Sequence, residues 1–260
     1  MDGHTDHGER QAAARAEYER IMTTPSPEPS SAYIDAGVIG FVFGEMWRRG
    51  VLTARDRRLI TLACLGSTDA AFPIETHVWA ALHSGDLTAE EFDEFVLHFA
   101  TQLGWPKAAV LSMHGMLAAA KLAEQQGEKA LPLGFEPWTD PVPEEERHAR
   151  GEAAYRAVHG EEPPRPSTPF RRTAYLDYLY GEIWTREAHL SRRDRRVISI
   201  CCCAAVSAEA ETRSHLRAAL ANGELTLVEL QELVVHFAVY VGWALGRQLD
   251  DLLVAVAPQS

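Results

Sequence analysis

Histidine, carboxylate and arginine recur at matched spacing along this chain, and together they could hold a carboxylated substrate and move its protons. His77 and His215 each sit mid-helix in His-x-x-Ala-Ala-Leu, where the leucine five residues on marks an inward face. An imidazole there, with an ordinary pKa near 6.5, could serve as a general acid or base. A satisfied core histidine is the competing reading, and recurrence in two copies brings the two level. His98 and His236 follow Glu94 and Glu232 by four residues in Glu-x-x-x-His-Phe-Ala. One helical turn brings such groups together, so the carboxylate would orient the ring and raise its pKa; a surface ion pair is the plainer alternative. Glu45 and Glu182 stand between a glycine and an apolar-Trp pair. A carboxyl on an otherwise apolar helix has its pKa raised by desolvation, which suits acid/base work, unless an arginine partners it. Arg-Asp-Arg-Arg, at 55–58 and 193–196, opens a helix. Arg57, Arg193 and Arg195 are the guanidinium groups expected to grip a substrate carboxylate. Solvated helix-start charge is the alternative, but cations there oppose the helix dipole, so their recurrence calls for partners.

These residues are positioned by a duplication. Gly-Glu-Met-Trp from Gly44 matches Gly-Glu-Ile-Trp from Gly181, 137 residues on; after one inserted residue the spacing becomes 138, from Asp56/Asp194 through His77/His215 and His98/His236 to Trp105/Trp243. The chain therefore reads as a first unit over 1–130, a linker rich in Pro, Gly and acid over 131–145, and a second unit over 146–260. Period-3.6 patterning without alternation makes both units helical bundles, each with a small core of its own, packed on one another. In the second unit the pattern predicts helices over 195–206 and 211–221, the latter closed by Asn222-Gly223. A third helix is capped by Thr226 with Glu229, and Gly242 separates it from a fourth ending near Val256. Unit one repeats these signals with Gly85, Thr88 and Glu91.

With 260 residues and a formal charge of −12, the chain is a poor partner for nucleic acid or anionic membrane, both of which select basic faces. No apolar run reaches membrane-spanning length, and the polar N-terminus does not read as a signal peptide. Cys64 and the contiguous Cys201, Cys202 and Cys203 form no disulfide framework and no Cys-x-x-Cys, so reduced packing thiols in a cytoplasmic protein are expected. No nucleotide loop, nucleophile elbow or zinc-ligand spacing occurs, so neither metal nor cofactor is expected.

Gly-Glu-Ile-Trp, the Arg-Asp-Arg-Arg helix start, Ser-His-Leu-Arg-Ala-Ala-Leu-Ala-Asn-Gly-Glu-Leu-Thr and His-Phe-Ala-Val-Tyr-Val-Gly-Trp together resemble the γ-carboxymuconolactone decarboxylase family of the alkylhydroperoxidase D-like superfamily. The resemblance covers nearly all of each unit. It implies an all-α fold of two tandem, pseudo-two-fold related bundles. It also implies homo-oligomers, here a dimer or trimer of two-unit chains, and cofactor-free decarboxylation of a carboxylated lactone. By motif it assigns His215 and His77, Glu182 and Glu45, and His236 and His98 as catalytic candidates, and Arg195, Arg57, Tyr240, Trp243 and Trp105 as substrate contacts. The superfamily's peroxidase branch carries thiols four and seven residues before the helix histidine. Here those positions hold Glu211 and Ala208, or Pro73 and Ala70. Its acid nineteen residues upstream is Arg196 or Arg58. Thiol peroxidase chemistry is therefore not expected. The family's early Gly-Asp-Ala-His segment is missing, and the tyrosine of the last motif, Tyr240 in unit two, is Gln102 in unit one, which makes unit two the expected working unit. An isomerase or cyclase acting on a lactone or polyketide-like molecule, and a non-catalytic helical assembly module, are the competing functions.

Overall fold

The computed structural model describes residues 3–68, 70–127 and 142–257, side chains from residue 8 onward. Every regular element among them is a helix. The first unit supplies α1 Gly3–Met22, α2 Tyr33–Met46, α3 Ala54–Thr68, α4 Ala71–Ser84, α5 Ala89–Leu103 and α6 Trp105–Gln126. The second supplies α7 Glu144–His159, α8 Phe170–Ile183, α9 Arg192–Ala205, α10 Glu209–Ala221, α11 Leu227–Val241 and α12 Trp243–Val256. The expected linker falls, up to residue 141, outside the described residues.

Local signals explain the boundaries. Thr88 and Thr226 form reciprocal capping boxes with Glu91 and Glu229, and Ser191 does the same with Asp194. Gly85 and Gly223 end α4 and α10 with φ of +75° and +65°, left-handed values that a Cβ would oppose. The helices α2 and α8 are π-wound: Trp47 N–H reaches back five residues to Val42 O, and Trp184 N–H to Leu179 O, both at 3.0 Å. The paired helices α7 and α8 approach so closely that a Cβ on Gly151 would collide with the Leu176 carbonyl.

The centre of the molecule is α3 against α9. Both are buried over most of their length, through Leu59, Ile60, Leu62 and Cys64 on one and Val197, Ile198, Ile200 and Cys201 on the other. A helix apolar on nearly every side must be enclosed by others. The enclosing helices cross over between units: α11 of the second unit packs on α3 of the first, and α5 of the first packs on α9 of the second. The main core is consequently one cluster shared by both units, rather than one per unit. Only small satellites belong to one unit, one around Phe43 and Trp47 and one around Tyr180 and Trp184. Among the described residues no helix is long and apolar enough to cross a membrane.

Candidate active site

Because α5 and α11 change partners, each histidine cluster is composite. The first site combines Trp47, Arg57, Arg58, Thr61 and His77 with Glu232, His236 and Tyr240 of the other unit. The second combines Trp184, Arg195, Arg196, Ser199 and His215 with Glu94 and His98.

An arginine stands against each imidazole of the two clusters. Arg196 Nη1 lies 2.7 Å from His215 Nδ1, and Arg58 Nη1 lies 3.3 Å from His77 Nδ1. A guanidinium can only donate, so Nδ1 accepts and the proton of the neutral ring sits on Nε2. Burial and the adjacent cation push the pKa of both histidines well below the usual value, and both are neutral at pH 7. Their Nε2 atoms have no hydrogen-bond partner among the described residues. His98 and His236 differ. Each accepts on Nδ1, from Arg195 at 3.3 Å and Arg57 at 3.1 Å. Each then uses Nε2 on a hydroxyl, Ser199 at 2.9 Å and Thr61 at 3.0 Å. With both nitrogens engaged and no exposed surface, these two rings brace the site.

Several expectations give way here. Glu94 and Glu232 do not touch the histidines one turn on. Glu94 binds Arg195 Nη2 at 2.7 Å and Arg186 Nε at 2.9 Å, and Glu232 binds Arg49 Nε at 2.7 Å. Burial, and then the arginine beside each ring, push the pKa values of His98 and His236 well down, where a carboxylate neighbour would have raised them. The arginines of the repeated motif are neither solvated nor open. Arg57, Arg58, Arg195 and Arg196 are among the most buried large side chains, held by protein partners. Arg195 meets the carboxylate of Glu94, and Arg193 ties the units together through Asp56 and Glu229. Glu45 is exposed, and half-buried Glu182 lies near Tyr178, outside the histidine clusters. Trp47 and Trp184 sit two residues later, at the C-caps of the same helices, and residues two apart face opposite ways, so the tryptophans turn inward. Trp105 and Trp243, the first residues of α6 and α12, are 53% and 63% exposed and lie off the histidine clusters. Tyr240 is the residue whose placement matters most. It enters the first site, accepting from Trp47 Nε1 at 2.8 Å, so its presence does not single out the second.

The sequence reading missed Arg58 and Arg196, which hold the free-Nε2 histidines, and Trp47 and Trp184, which stack near those rings and lie under the same arginines. The signal was present: all four recur at the duplication spacing. It also missed His159, where unit one has Met22. His159 Nε2 lies 2.6 Å from Tyr180 Oη and Nδ1 2.9 Å from Ser214 Oγ, and its ring is 5.1 Å from that of His215. Burial lowers its pKa to about 4. Tyr180 Oη in turn lies 3.5 Å from Tyr175 Oη. Tyr175 lines a cavity of about 670 Å³ with Gln102, Tyr178, Cys203 and Glu211, the last one turn before His215. Among the described residues no group of three or more His, Cys, Asp or Glu is spaced to hold a metal ion.

The model of the carboxymuconolactone decarboxylase family matches residues 34–113 and again 172–253, more than half of the sequence. The chain belongs to that family. The carboxymuconolactone decarboxylase match falls once on each unit, and the two matched stretches contain the tryptophan, paired arginines and histidines of both sites. The 4-carboxymuconolactone decarboxylase of Acinetobacter baylyi is 40% identical over 65 residues, which is 25% of this chain and 47% of that protein. The chain thus matches about half the length of this curated relative.

Proposed function

We propose that this chain is a cofactor-independent decarboxylase acting on a carboxylated, enolisable ring such as a carboxylactone, with the reaction in the second site. The observation that carries the proposal is the neutral His215, pinned by Arg196 on Nδ1 and with an unpartnered Nε2–H, on the helix whose preceding turn puts Glu211 in the wall of a ligand-sized cavity. A carbonyl conjugated to the C–CO2 bond supplies its own electron sink. The C–C bond breaks, CO2 leaves, and the electron pair moves onto the carbonyl oxygen. A neutral imidazole N–H, fixed before the reaction, stabilises such an enolate without needing to titrate. One proton, supplied by solvent, then adds to carbon, and the hydrogen-bonded His159, Tyr180 and Tyr175, the last on the cavity wall, form a relay for it. Arg171, on the cavity wall, supplies the cation that draws in an acid.

Against thiol chemistry, Cys203 lines the cavity, but burial pushes its thiol up to about 12, so it stays protonated. Assembly of two-unit chains into a dimer or trimer belongs to the same proposal, supported by exposed Met113, Met116 and Leu117 on α6. Release of 13CO2 from a panel of carboxyl-labelled lactones and β-keto acids tests the reaction. Turnover by the wild type should fall about 100-fold or more in His215→Gln, as on loss of an oxyanion donor. A product of unchanged mass would favour the isomerase. Equal turnover in wild type and His215→Gln would remove His215 from the chemistry.

A further inference from the structure

The two sites share one framework and differ at one decisive place. In the first, the phenol of Tyr240 fills the space between Trp47, His77 and His236. Its oxygen accepts from Trp47 Nε1 at 2.8 Å, and its ring lies 5.6 Å from that of His77 and 5.3 Å from that of His236. The duplication carries Trp47 to Trp184, His77 to His215 and His236 to His98. The ring geometry follows: Trp184 stacks at 5.9 Å from His215 and meets His98 edge-on at 5.2 Å, as Trp47 does with His77 at 6.3 Å and His236 at 5.0 Å. The position equivalent to Tyr240 is Gln102. Its amide oxygen turns toward Cys203 Sγ at 3.7 Å, and it lines the 670 Å³ cavity.

Two features distinguish the second site. The indole Nε1–H of Trp184 is buried, with the residue 2% exposed, and has no hydrogen-bond partner among the described residues. A buried donor left unpaired carries a free-energy cost that an incoming acceptor would relieve. The cavity beside Gln102 is walled by Trp105, Tyr155, Phe170, Tyr175 and Tyr178, flat faces suited to a flat guest.

We propose that the second site is built to receive a planar ring bearing an oxygen, a phenol or its enol equivalent, which takes the place Tyr240 fills in the first site and accepts from Trp184 Nε1–H. In the first site Tyr240 already occupies that place and already accepts from Trp47 Nε1–H. The substrate of the proposed reaction is then a ring acid of this shape. This inference rests on the site assignment above, but its test reads binding and does not depend on turnover.

The probe is p-cresol, the tyrosine side chain cut free. Titration calorimetry on the full chain should show one equivalent bound. The indole N–H resonance of Trp184, assigned by its loss in Trp184→Phe, should move downfield on binding. Gln102→Tyr, which installs the chain's own phenol, should weaken binding at least tenfold. Trp184→Phe should weaken it about fivefold, the worth of one neutral hydrogen bond. Tyr240→Gln should open the first site and raise the stoichiometry from one to two, which keeps the idea testable if Gln102→Tyr fails to fold. Absence of saturable binding to the wild type, affinity unchanged in both Gln102→Tyr and Trp184→Phe, or a stoichiometry that ignores Tyr240→Gln would each overturn the proposal. Binding that behaves as expected, without CO2 release from any acid, would leave this inference standing and remove the decarboxylase reading.

Discussion

Acid should unfold this protein early and steeply, and the buried histidines set the size of the effect. His77, His98, His215 and His236 all have pKa values well below the ordinary one, through burial and then a neighbouring arginine, and His159 lies at about 4. In the unfolded chain each returns to about 6.5. The unfolded state therefore binds more protons below that value, and stability falls as pH drops from about 6.5 toward the folded pKa. Between pH 6 and 5 one such imidazole removes about 1.2 kcal/mol, and five together remove about 6 kcal/mol, comparable with the whole stability of an ordinary domain. Glu94 and Glu232, held below the usual carboxylate range largely by their arginine partners, add to the loss at lower pH with the same sign. Urea unfolding at pH 6.0, 5.5 and 5.0 under constant ionic strength measures the slope. His159→Met, which installs the residue found at the equivalent Met22, should reduce the loss by about 1.2 kcal/mol. A wild type equally stable at pH 6 and 5, or a His159→Met slope identical to the wild type's, would refute the argument.

Two further substitutions probe the frame around the site. Arg196→Met takes the buried guanidinium from Glu224 and from His215 Nδ1; a loss of about 3–5 kcal/mol in urea unfolding is expected, and less than 1 kcal/mol would show the guanidinium to be dispensable. Gly151→Ala places a methyl against the Leu176 carbonyl and should cost about 1–3 kcal/mol, whereas a neutral effect in thermal unfolding would mean that α7 and α8 part easily.

Much of the local architecture was legible because its signals are local. Thr88 with Glu91, Thr226 with Glu229, and the glycines at 85, 223 and 242 mark helix ends through side-chain and φ chemistry that needs no tertiary context. The duplication was legible because it is a pattern of identities. What a repeat spacing cannot reveal is which copy a helix packs against. The crossing of α11 onto α3 therefore escaped, and with it the fact that Tyr240 serves the first site. The π-winding of α2 and α8 has no residue signature in these segments, so which side of each helix carries Glu45 or Trp47 was open. Charge was legible only in part: recurrent cations at a helix start called for partners, but nothing in the sequence said that Arg58 and Arg196 would each find an imidazole, a carboxylate and a carbonyl inside the core.

The tautomer of His215 decides between an arginine-locked electrophile and an ordinary titrating base. Nitrogen-15 NMR of ring-labelled histidine, with His215→Gln for assignment, reads the protonation of each ring nitrogen directly. A neutral ring with hydrogen on Nε2 and a bare Nδ1, unchanged from pH 7.5 to 6.0 while the chain is still folded, is expected. A ring that takes up a second proton near pH 6.5, or carries its hydrogen on Nδ1, would contradict the arrangement on which the proposed chemistry depends.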